Sequence, residues 1–109
     1  MALTMTRTRT QTALTKLVDL LARTNGELDF VRALLVEAPG HREGLAAREA
    51  QLVSQRGALL LTIRQFDPEL DPEDVGSAAD WWPGRRPKTR AGMVRRYLAE
   101  AEATSRRAP

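Results

Sequence analysis

Leucine recurs every seven residues through the first third of the chain, at Leu14, Leu21, Leu28 and Leu35, with Leu17, Thr24, Val31 and Ala38 three places after each. Positions spaced three and four apart share one face of an α-helix. The seam crosses Thr24-Asn25-Gly26 without losing phase, although those residue types alone suggest a turn. Glycine inside a helix costs roughly 1 kcal/mol relative to alanine, whereas a break would have to restore the same register beyond it. The pattern predicts one helix from about Thr12 to Glu37, locally weak at Gly26, with two shorter helices as the alternative.

Pro39-Gly40 is a strong turn signal, and after it Leu45, Leu52, Leu59 and Phe66 again recur at seven, flanked by Ala46, Val53, Leu60 and Ile63. A second helix is expected from about Arg42 to Gln65. The stripes are of similar length, roughly 35–40 Å at 1.5 Å per residue, and the link is short. They predict an antiparallel helical hairpin with coiled-coil-like packing. Two helices leave much of each leucine stripe uncovered. Leu14, Leu21, Leu28, Leu35, Leu45, Leu52 and Leu59 are therefore candidate residues for a partner or dimer interface, unless the C-terminal helix of the same chain covers them.

The pattern stops at Phe66-Asp67-Pro68-Glu69-Leu70-Asp71-Pro72. Each proline disfavours the α conformation in the aspartate before it and donates no backbone hydrogen bond, so the second helix ends near Phe66. Asp-Pro also suits a helix start, aspartate as N-cap and proline first inside, and a short turn is expected to restart at Asp71. A linker leads to Trp81-Trp82-Pro83-Gly84. The tryptophans either pack on the hairpin end near Phe66 and anchor the linker, or form an exposed platform for a partner or a nucleobase. A last helix is expected from about Thr89 to Ala103, with Met93, Val94, Tyr97, Leu98 and Ala101 on one side.

Charge adds what periodicity does not show. Residues 1–66 carry nine basic and six acidic groups, residues 67–80 six acidic and none basic, and residues 81–99 six basic and none acidic. The chain thus divides into a disordered, Thr- and Arg-rich N-terminus (1–11), the hairpin (12–66), an acidic and tryptophan-bearing linker (67–84), and a basic C-terminal helix and tail (85–109). The class is all-α: alanine, leucine, arginine and glutamate are abundant, and alternating runs of β-branched residues are missing. There is no cysteine, which removes disulfides, thiolate metal sites and a cysteine nucleophile together. No signal-peptide core and no apolar run near ~18 residues is present, so a cytoplasmic location is expected.

The segment Thr62-Ile63-Arg64-Gln65-Phe66-Asp67-Pro68-Glu69-Leu70-Asp71-Pro72-Glu73-Asp74-Val75 resembles the signature of a group of small uncharacterised bacterial proteins. In these a helical hairpin ends in Ile-Arg-x-Phe-Asp-Pro-x-x-Asp-Pro, followed by a basic, proline-containing stretch and the first helix of a winged-helix-like part. By that resemblance Arg85 to Arg90 correspond to the basic stretch, and Gly92 to Leu98 to the opening helix. The likeness covers about residues 13–101, and only the Phe-Asp-Pro segment is specific. Residues 76–82 depart from it, being acidic and aromatic where the group is basic. The rest of the winged helix, with its recognition helix, is expected to be absent.

No catalytic constellation is present at a recognised spacing, and no enzyme, cofactor or metal is expected. His41, the only histidine, follows the Pro-Gly turn and reads as a solvated turn residue. Asp67, Asp71, Glu73 and Asp74 lack the spacing and central glycine of an EF-hand, and read as N-caps and solvated charge. Two functions remain. In one, Arg85, Arg86, Lys88, Arg90, Arg95 and Arg96 contact the phosphates of a nucleic acid, with affinity mostly electrostatic. In the other, the chain is a helical protein-interaction or assembly module, a homodimer included, and its basic segment merely neutralises the acidic linker. A membrane is not expected as a partner, the basic helix on an anionic surface being a lesser third case. The functions separate on whether the six cations share one exposed face or pair with Asp67 to Asp80.

Overall fold

The computed structural model describes residues 2–107, with side chains described for residues 9–104. The described residues form three α-helices, α1 (Ala2–Glu37), α2 (Arg42–Phe66) and α3 (Arg90–Arg107), with 3-10 turns at Pro39–His41 and Pro72–Asp74 and no strand. α1 is continuous through Gly26 and begins at Ala2, so the disordered N-terminus expected over residues 1–11 is instead helical from residue 2; Met1 lies outside the described residues. Extending a formed helix adds a hydrogen bond for each residue fixed, and no proline or glycine precedes Gly26 to stop it.

α2 returns alongside α1. Thr24 and Asn25 meet Gln55 and Arg56, while Glu27 and Arg32 meet Arg48 and Glu49, so the helices run in opposite directions. Leu28, Val31 and Leu34 from α1 and Leu45 and Leu52 from α2 form the core between them. Thr24 lies in the same seam, almost fully buried; its hydroxyl donates to the Leu20 carbonyl and accepts from Gln55, which removes the penalty of burying it.

α2 ends at Phe66, with Asp67 outside the helical conformation at φ −140° and ψ 88°. The two aspartates before proline then organise short turns: Asp67 Oδ1 accepts from the Glu69 amide and Asp71 Oδ1 from the Glu73 amide. Beyond Val75 the chain crosses back over the middle of α1. Asn25 donates to the carbonyls of Val75 and Gly76, Ser77 donates to Asp29, and the Ala78 amide donates to the Ala22 carbonyl at 2.9 Å. Gly26 permits this approach. A Cβ there would lie inside contact distance of the Ala78 carbonyl oxygen and 2.8 Å from Trp81 Cδ1. The residue that weakens α1 as a helix is the one over which the linker passes.

This crossing places the tryptophans away from Phe66, which is itself exposed. Trp81 packs against Phe30 with ring centroids 5.1 Å apart, and Trp82 and Tyr97 complete an aromatic cluster. They anchor the linker, but at mid-α1 instead of at the end of α2. Through Tyr97 the cluster joins α3 to the core. α3 also crosses the start of α2 at Gly44, where an added Cβ would stand 3.2 Å from the Ala101 carbonyl oxygen.

Candidate functional site

The basic segment is shaped by its small residues. Gly84 adopts a positive φ of 75°, a conformation that glycine takes without steric cost, and turns the chain after Pro83. Thr89 then caps α3, its hydroxyl oxygen accepting from the Gly92 amide at 3.0 Å. Between these points Pro87 packs close to Gly92. Arg85, Arg86, Lys88, Arg95 and Arg96 consequently line one shallow groove with Pro87, Gly92 and Ala99. All five side chains are exposed, and among the described residues none forms an ion pair. Arg90 is different: its guanidinium donates to Glu37 Oε2 at 2.6 Å, tying the start of α3 to the end of α1. No ion pair among the described residues joins any of the six cations to the carboxylates of residues 67–80.

Next to the groove lies a deeper cleft of about 590 Å³ between α2, α3 and the Trp81–Pro83 segment. Its floor holds a polar cluster that the sequence did not suggest. Glu27 accepts from Arg48 through both carboxylate oxygens, at 2.7 and 3.0 Å, and from the Tyr97 hydroxyl at 2.5 Å. Arg48 also donates to Gln51 Oε1. Burial, and then the Glu27 carboxylate it hydrogen-bonds, push the Tyr97 phenol above its ordinary value, while the Glu27 hydrogen bond raises Arg48 against the opposing effect of burial. Both shifts lead away from neutral pH. Tyr97 and Arg48 therefore keep their protons there and serve to hold orientation. Its members are 21 and 70 residues apart in the chain, and no local spacing signals them.

The leucine stripe is used mainly within the chain. Leu21, Leu28, Leu45 and Leu52 are buried in the chain's own core, whereas Leu14, Leu35 and Leu59 are partly buried. Among the described residues the large apolar side chains that face outward are others: Leu20, Val36, Val53, Leu61 and Phe66. The heptad marks the centre of the helix–helix contact, and one chain already closes most of that centre.

His41 ends the first 3-10 turn, and its Nδ1 lies 2.5 Å from Glu102 Oε1, close enough for an ion pair when the ring is protonated but without hydrogen-bond geometry. Among the described residues no three His, Asp or Glu side chains are grouped to hold a metal ion, and no helix is long and apolar enough to cross a membrane. In comparisons with known proteins, no family model matches the chain, and no curated protein or solved structure is significantly similar to it.

Proposed function

We propose that the protein is a non-catalytic nucleic-acid-binding accessory protein that meets phosphates through Arg85, Arg86, Lys88, Arg95 and Arg96, with the coiled-coil-like α1–α2 hairpin as a spacing element. The reading rests on five unpaired cations lining one exposed groove. Unpaired cations keep their full attraction for phosphate, and no carboxylate must be displaced before binding. Arg90, engaged by Glu37, has at most a small part. The experiment is binding of a fluorescent non-specific duplex across a salt series. Each phosphate neutralised contributes about −0.9 to the slope of log K against log salt, so five contacts give at most about −4.5. Replacing Arg85, Arg86, Lys88 and Arg95 by glutamine should flatten the slope by about 3 or more, while Arg90→Gln leaves it nearly unchanged. Absence of binding at low salt sinks the reading.

A second reading, an assembly module, is favoured by the outward-facing Leu20, Val53, Leu61 and Phe66 on α1 and α2. Homodimerisation through them is compatible with the groove, which lies on the other elements of the chain. A sedimentation mass of two chains at micromolar concentration, returned to one by Leu61→Glu with helicity retained, is the expected result. A single-chain mass throughout that range removes self-association.

A further inference from the structure

The cleft and the groove share two residues. Arg85 and Arg96 line both, so a chain of phosphates lying along the groove passes the mouth of the cleft. The cleft itself is unlike a phosphate site. Trp81, Trp82 and Pro83 are among its lining residues, and its volume of about 590 Å³ falls within the ~300–1,000 Å³ typical of small-molecule pockets. Of the polar side chains on its floor, Glu27, Arg48 and Tyr97 are hydrogen-bonded to one another. Gln51 uses its carbonyl oxygen on Arg48, which leaves its amide as a donor, and Glu100 supplies an acceptor. Aromatic side chains, the Gln51 amide as donor, the Glu100 carboxylate as acceptor and the two cations shared with the groove match a planar heterocycle joined to a phosphate.

The geometry points to a nucleobase site: the cleft takes one unpaired base of a single strand whose flanking phosphates lie on Arg85 and Arg96. This rests on the phosphate-binding role of the groove and adds to it a preference for strand form. In a duplex the bases are stacked and paired, and only an unpaired nucleotide can turn its base into a pocket. Base–aromatic contact tolerates every base, because each presents a π-face. The Glu27–Arg48–Tyr97 cluster on the floor of the cleft positions Gln51 through Arg48 and keeps that floor fixed.

Trp81 and Trp82 are the only tryptophans in the chain and both line the cleft, so intrinsic fluorescence reports directly on its occupation. The test titrates the full chain at low salt with a short single-stranded oligodeoxynucleotide, with an abasic strand of the same length, and with the blunt duplex. The expected result is that the base-bearing strand changes tryptophan emission and binds at least about tenfold more tightly than the abasic strand. Ala47→Leu, which fills the cleft from the exposed side of α2, should remove that advantage and leave abasic-strand binding as it was. Equal binding of the two strands with unchanged emission overturns the nucleobase site while leaving the phosphate groove standing. If no strand and no duplex binds, both fall. The comparison of strands needs no variant, so it decides the matter even if Ala47→Leu perturbs folding.

Discussion

Tyr97 is the chain's single tyrosine and is only 7% exposed, with its hydroxyl held by Glu27. Ionising it would place a second negative charge beside that carboxylate in a site poor in water, which is why its pKa is raised. The linkage has a definite sign. A phenol whose folded pKa exceeds the unfolded value contributes stability that is complete below about pH 10, then declines by about 1.4 kcal/mol per pH unit as pH rises further. Phenolate absorbance of the folded chain should therefore appear only as the helices melt in alkali, whereas in denaturant it appears near pH 10. A native chain that titrates in the ordinary tyrosine range would mean that the hydroxyl is not held by Glu27.

At the scale of elements, the crossing of the linker over α1 is the feature on which the site depends. It puts Trp81 and Trp82 beside Tyr97 and brings the basic segment to the flank of α3. Gly26 and Gly57 make the point together. Both lie within helices, but a Cβ at Gly57 meets nothing within 4 Å, while one at Gly26 runs into the linker backbone and Trp81. Gly57→Ala should stabilise the protein by about 0.5–1 kcal/mol through helix propensity alone. Gly26→Ala gains the same propensity but overpacks the crossing, for a net loss of about 1–3 kcal/mol, with tryptophan emission shifted to the red. Thermal melts followed by circular dichroism and fluorescence check both; stabilisation of both variants would mean the linker does not dock on α1. Charge alone would not have revealed this crossing. The glycine's cost to the helix was visible in the sequence, and its purpose was not, because the atoms it makes room for lie more than fifty residues away.

For the whole molecule, the aromatic cluster links α1, the linker and α3, while α1 and α2 share one leucine core with it. The expected consequence is a single cooperative transition, with tryptophan fluorescence and helical circular dichroism coinciding in denaturant. Fluorescence lost at lower denaturant than helicity would show that the C-terminal half docks on the helix pair as a separate unit. The molecule is elongated, 57 Å along its longest axis, and the groove and cleft occupy α3 and the segment before it. Leu61 and Phe66, on the last turns of α2, line neither. The proposed phosphate contact and the proposed self-association surface therefore do not compete for the same residues.

Much of this was decided by short stretches of sequence. The all-helical class, the interruptions at Pro39-Gly40 and Phe66-Asp67-Pro68, the turn restarted by Asp71-Pro72 and the separation of acidic from basic segments all follow from periodicity, locked proline torsions and composition. Each of these acts over a few neighbouring residues. Tertiary structure alone decided which leucines a single chain covers, where the tryptophans rest, that Arg90 is taken by Glu37 while five other cations have no ion-pair partner among the described residues, and that Glu27, Arg48 and Tyr97 converge. Those outcomes depend on contacts between residues 21 to 70 positions apart, such as Glu27 with Arg48 and with Tyr97. Such contacts exist only once a turn and a crossing have fixed which faces meet, and a one-dimensional pattern carries no information about that choice.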